Sequence, residues 1–212
     1  PLTNTAGPPR FPPPRTKPVN NGKARPTMNF TSLGFLLFIT VFTAAFMALA
    51  RTRIFTPLLL VSSYFFYGFW DYRFCTLLAL TTFIDFYCGL RIADAPNRFT
   101  ARIFMHLSLG SNLAILFFFK YYNFFIDSAH VALSSIGIDI GERTLSIILP
   151  VGISFYTFQN LSYALDLYLG HLEKPERSLL RYATFVAFFP QLVAGPIVRA
   201  RDLLPQLQDG PR

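Results

Sequence analysis

Gly152, Tyr156, Gln159, Tyr163, Asp166 and Gly170 recur at spacings of three or four, which puts an amide, a carboxylate and two phenols on one helical stripe. The neighbouring faces carry Ile153, Phe155, Phe158, Leu161, Leu165, Leu167 and Leu169. Pro150 suits the first turn of this helix and Gly170 its end. About 19 residues between them would make roughly 28 Å of helix, enough to cross a bilayer core. A spanning helix with such a stripe turns it from lipid towards other helices or a wet cavity. Two readings follow. In one, Gly and Ser let helices approach while Gln and Tyr hydrogen-bond across the contact. In the other, Gln159, Tyr163 and Asp166 line a substrate path, because an acid and an amide at membrane depth are costly unless used.

A second stretch, Phe188-Phe189-Pro190-Gln191-Leu192-Val193-Ala194-Gly195-Pro196-Ile197-Val198-Arg199, has two prolines flanking a glycine inside an apolar segment. Each proline removes a helix hydrogen bond and biases the preceding residue away from helix. Freed backbone groups at membrane depth are tolerated only inside protein or along a cavity. The stretch is therefore expected to be a re-entrant or kinked element, with Pro190, Gln191, Gly195 and Pro196 along a path and Arg199 at its mouth. A Pro-kinked helix with a packing role only is the alternative.

The elements that must hold these stretches are themselves apolar. The 212 residues are 52% hydrophobic and 17% aromatic but only 14% charged, against roughly 25% charged in soluble domains. This composition reads as an integral membrane protein. Uncharged runs predict spans over 29–50, 54–70, 74–90 and 103–119, then the striped helix as a fifth and the broken 178–198 segment as a sixth. Tyr64, Tyr67 and Trp70 suit an interface, where aromatic rings settle. Asp85 lies within the third span and would pair with Arg91 or face the bundle. Residues 123–143, with Asp127, His130, Asp139 and Glu142, read as an interfacial helix and loop.

The formal net charge of +8 points to nucleic acid or anionic lipid, but its location argues against the first. Residues 1–27 carry five arginines and lysines, no acid and eight of the sixteen prolines. Such a segment is expected to be disordered, and it reads as a non-native tail ahead of Met28. Without it, 14 basic residues face 11 acidic ones, with no basic face for nucleic acid. Arg51 and Arg53 fall in one loop, and Arg91, Arg98 and Arg102 around another two spans later. By the positive-inside rule both loops are cytoplasmic and the N-terminus faces out. Cys75 and Cys88 are spaced for no metal site, and none is expected.

Both stretches, together with Ser63-Tyr64-Phe65-Phe66-Tyr67-Gly68-Phe69-Trp70 and Phe119-Lys120-Tyr121-Tyr122-Asn123-Phe124, resemble the membrane-bound O-acyltransferase family, and within it the alginate O-acetyltransferase branch. The similarity runs from Met28 to about Gln206. It implies an all-α, polytopic transmembrane helical bundle around a funnel, of which 28–212 would be the N-terminal half, apparently truncated. It also implies an acyl donor such as acetyl-CoA and no bound cofactor. The acceptor would be an exopolysaccharide such as alginate, reached through periplasmic partner proteins, and the location a bacterial inner membrane. The family's catalytic base is a histidine in a Trp/Arg-rich context. His106, His130 and His171 stand in no such context, so no catalytic residue is assigned here and this chain alone is expected to be inactive. His106 is expected to make a packing hydrogen bond within the bundle. The competing class is a non-enzymatic membrane scaffold or half-transporter, since broken helices and midplane polar groups also mark transporters. No inverted repeat supports it.

Overall fold

The computed structural model describes residues 32–136, 148–196 and 198–209, which form helices and connecting turns with no strand among them. The 1–27 segment and residues 137–143 of the expected interfacial helix and loop lie outside the described residues. Helix α1 (Leu33–Leu49) starts where Ser32 Oγ accepts the Phe35 N–H at 3.2 Å, an N-cap. None of its 17 residues is buried, and Leu36, Leu37, Val41 and Met47 all stand exposed. It holds to the rest through Phe38, Phe42 and Phe46, whose rings meet Phe66, Phe189 and Phe55.

Helix α2 (Phe55–Ala93) is interrupted at Asp71, whose φ of −163° and ψ of 115° are extended rather than helical. The chain reverses there. Cys75 Sγ lies 3.8 Å from the Tyr64 carbonyl, eleven residues back, where a straight helix would hold them roughly 16 Å apart. A Cβ on Gly68 would sit 3.6 Å from the same sulfur. Limbs 55–70 and 72–93 thus correspond to the second and third expected spans. Asp71 Oδ1 accepts the Arg73 N–H at 3.0 Å and stabilises the turn.

Helix α3 (Arg98–Ser135) is capped by Asn97, whose Oδ1 accepts the Thr100 N–H at 2.8 Å. It contains the fourth expected span, 103–119, and extends beyond it at both ends. The helix runs on through Lys120 and the interfacial segment to Ser135, because no proline intervenes and charged side chains leave the backbone ladder intact. At about 57 Å it exceeds a ~30 Å hydrocarbon core, and exposed Asp127 lies in its overhang.

Helix α4 (Ile153–Leu169) is shorter than the sequence implied. Pro150 precedes it instead of opening it: the Pro150 carbonyl accepts the Ile153 N–H at 3.3 Å, and Gly152 turns left-handed at φ 75°. At the other end Gly170, φ 78°, closes the helix, while the Asp166 carbonyl accepts the His171 and Leu172 N–H groups at 2.8 and 3.1 Å. The sixth segment is broken as expected, into α5 (Leu179–Ala187) and α6 (Phe189–Ala194), with Phe188 at φ −55° and ψ 103° between them. Pro190 falls in the first turn of α6, where no helical N–H is needed.

Helix α7 (Ala200–Asp209) was not foreseen. Charges and the internal Pro205 disguise it, yet Ala200, Leu204 and Leu207 form a buried face that packs on the main core. That core joins Phe55, Leu59, Tyr67 and Leu78 of α2 to Tyr156 and Tyr163 of α4 and to Tyr182 and Phe185 of α5. Large apolar side chains dominate the outside as well, including Val61, Phe65, Phe83, Phe117 and Phe118. Phe55–Ala93 and Arg98–Tyr122 are long and apolar enough to cross a membrane. Apolar helices with so much unpartnered apolar surface mark a membrane protein.

Candidate functional site

The three runs singled out in the sequence meet in space. Tyr67, on the first limb of α2, donates its O–H to the Val151 carbonyl at 2.8 Å, just ahead of α4. One turn earlier, Ser63 Oγ donates to the Leu59 carbonyl at 2.7 Å and accepts the Phe189 N–H at 3.2 Å. The Phe66 ring packs on Phe189 with centroids 5.2 Å apart. Gly152 closes the triangle: a Cβ there would stand 2.9 Å from the Leu192 carbonyl oxygen, so α4 meets α6 backbone to backbone. Only glycine meets both this space limit and the positive φ.

Within that frame Gln159 is buried, and its Nε2 donates to the Phe185 carbonyl at 2.7 Å. The helical partner of that carbonyl would be the Phe189 N–H, which the break at Phe188 redirects to Ser63. Gln159 therefore caps the broken end of α5 from a neighbouring helix. Tyr163 is fully buried, packs tilted against Tyr182 with ring centroids 4.7 Å apart and accepts the Glu176 N–H at 3.1 Å. A Cβ on Gly89 would lie 2.5 Å from its ring, so the second limb of α2 fits this side chain only through a glycine. Asp166 is buried at the end of the stripe, with Oδ1 at 3.4 Å from His171 Nδ1.

The second stretch divides. Gln191 is buried on α6, with no partner for its Oε1 among the described residues, and Gly195 makes a turn whose N–H returns to the Gln191 carbonyl at 3.1 Å. Pro190 and Pro196 are exposed. Arg199 is exposed too, and its carbonyl accepts the Asp202 and Leu203 N–H groups that begin α7. Gln159 and the α5–α6 break are thus brought together, whereas Pro190, Pro196 and Arg199 lie at the surface.

Three buried polar groupings escaped the sequence reading. Asp85 faces the bundle, not Arg91: Ser108 donates to its Oδ1 at 2.5 Å, and Asn112 Nδ2 donates to both oxygens at 2.8 and 2.7 Å. Asn160 Oδ1 accepts the Tyr182 O–H at 3.1 Å. Glu176, whose side chain is 1% exposed, accepts two hydrogen bonds from Arg181 at 2.7 and 3.1 Å and one from the Ser178 N–H at 2.7 Å. Ser108 and Asn112, four apart, were the available signal for the first. Nothing local distinguished Glu176 from a solvated loop acid. His106 corrects an expectation: it is exposed, and its Nδ1 lies 2.8 Å from the Arg102 carbonyl of its own helix, so it links no helices. His130 lies on α3, and His171 is 54% exposed beside Asp166.

Comparison with known proteins gives this arrangement a class. Over 184 residues the chain is 40% identical to a probable alginate O-acetylase of Pseudomonas putida, covering 86% of this chain and 37% of that protein. Over 181 residues it is 40% identical to the corresponding protein of Azotobacter vinelandii, covering 84% and 36%. Over 204 residues it is 32% identical to a peptidoglycan O-acetyltransferase of Helicobacter pylori, covering 85% and 37%. No family model and no solved structure matches. The chain belongs to the membrane-bound O-acyltransferase family, in its alginate O-acetylase branch. It spans about a third of the length of the relatives it matches.

Proposed function

We propose that this chain is the membrane-embedded part of an O-acyltransferase that passes an acetyl or similar acyl group to an exopolysaccharide such as alginate. The observation that carries the proposal is the meeting of the Ser63–Trp70, Pro150–Gly170 and Phe188–Arg199 runs, within the region 40% identical to alginate O-acetylases. On this reading the fold is a polytopic bundle in a bacterial inner membrane with the N-terminus outside. Helix α1, the α2 limbs, α3 and α4 are its spans, and α5–α6 a broken wall. The acyl donor, acetyl-CoA or a similar thioester, is used from the cytoplasmic side. Periplasmic proteins present the polymer.

In this scheme Gln159, Tyr163 and Asp166 brace the wall of the acyl path and leave the proton transfer to another group. The Gln159 and Tyr163 side chains bond to backbone groups, and Asp166 lies 3.4 Å from a loop histidine. The three histidines support the same division. His106 back-bonds to its own helix, while His130 and His171 stand outside the converging runs.

The test is a chimera in which this chain replaces the matching part of an alginate O-acetylase, in cells lacking that enzyme. Restored polymer-bound acetyl ester is expected. A chimera that inserts in the membrane yet leaves the polymer unacetylated would sink the proposal.

A further inference from the structure

At the end of the bundle where α2 leaves and α3 begins, two arginines converge on one neutral phenol. Arg102 Nε donates to Tyr168 Oη at 3.3 Å, and the Arg98 guanidinium carbon lies 5.4 Å from the centroid of the same ring. Neither arginine has an ion-pair partner among the described residues. Asp94, the carboxylate of the adjoining turn, is taken by Arg177 at 2.7 Å. Two like charges drawn to one uncharged group favour an anion between them, and the N-terminus of α3 adds positive potential at the same place. A guanidinium held by its Nε alone keeps its two terminal nitrogens free for a phosphate-shaped acceptor, and the Tyr168 O–H is a further donor.

The surface beside this pair is apolar. On α3, Phe99, Ile103 and Leu107 are 70%, 50% and 52% exposed. At 100° per residue they flank the Arg98–Arg102 strip and continue from it away from the helix start. A basic patch at the end of an apolar strip matches an amphiphile with an anionic head and hydrocarbon tails. We infer that Arg98, Arg102 and Tyr168 form a headgroup site for an anionic phospholipid, with its acyl chains along Phe99, Ile103 and Leu107. The inference rests on the membrane reading given above but not on the acyl-transfer activity.

The test uses the full chain purified in mild detergent, offered phosphatidylglycerol or phosphatidylcholine, with bound lipid counted by native mass spectrometry. Retention of phosphatidylglycerol about five-fold or more above phosphatidylcholine is expected. R98Q/R102Q should lose that preference, Y168F should weaken it and R98K/R102K should keep most of it. R51Q/R53Q, altered in the other basic loop, should behave as the unaltered chain. Equal binding by R98Q/R102Q, or equal loss in R51Q/R53Q, would overturn the site. Full displacement of the lipid by millimolar inorganic phosphate would overturn the lipid assignment and make the ligand a soluble phosphate. Release of the chain from membranes by alkaline carbonate would instead refute the membrane reading, so the two failures are distinguishable.

Discussion

Gln159 Nε2 donates to the Phe185 carbonyl at 2.7 Å, across 26 residues of sequence, and so completes the hydrogen bonding of a helix broken three residues later. Helix ends inside an apolar environment leave carbonyls that water cannot reach. Replacing Gln159 with Leu removes the donor and leaves that carbonyl buried and unpaired, at a cost of about 1–3 kcal/mol. A lower thermal midpoint in detergent and reduced acetyl transfer in the chimera are expected. Unchanged values for both would show that the cap is dispensable.

Gly152 and Gly170 both adopt positive φ, 75° and 78°, but they differ in their surroundings. A Cβ at Gly152 would stand 2.9 Å from the Leu192 carbonyl, whereas nothing lies within 4 Å at Gly170. Gly170→Ala should therefore cost only the left-handed backbone penalty, about 1–2 kcal/mol. Gly152→Ala should cost measurably more, because α4 and α6 must also separate. Equal losses in a chemical unfolding series would mean that the close approach contributes nothing.

Asp85, Ser108 and Asn112 tie the second limb of α2 to α3. Asp85→Leu strands two donors and should destabilise the protein by roughly 1–3 kcal/mol. Adding Asn112→Leu should recover part of that loss, since the amide no longer lacks its acceptor. A double-mutant cycle measures the coupling. Strict additivity would argue against the cross-link.

Glu176 is held by Arg181 in a pair with side-chain exposures of 1% and 36%. Arg181→Met removes this guanidinium from the buried carboxylate. The expected loss is about 2–3 kcal/mol, below the 3–5 of a wholly buried pair because the arginine is partly solvated. Glu176→Gln with Arg181→Met should lose less than Arg181→Met alone. If the single variant melts at the unaltered temperature, the pair is ornamental to stability.

Much of the architecture was legible in the chain itself. Uncharged runs fixed where helices form, Asp71 and Arg73 marked a reversal, and Pro190 with Gly195 announced a break, because charge, proline and glycine act locally on backbone hydrogen bonding. The same local rules do not join the fourth span to the interfacial helix after it, since they do not show that lysine and tyrosines at a membrane boundary leave a helix unbroken. They also missed α7, whose apolar face is visible only against the core that covers it.

By itself the sequence determined which polar residues share the α4 stripe and, through the motif runs, which family the chain resembles. Only the tertiary structure decided what those residues touch. Gln159 meets a backbone carbonyl, Tyr163 a loop N–H and the flat space over Gly89, and Asp85 an amide about four helical turns into α3. Helical periodicity sets the direction in which a side chain points, a property of one segment. Its partner belongs to another segment, and packing between helices selects it.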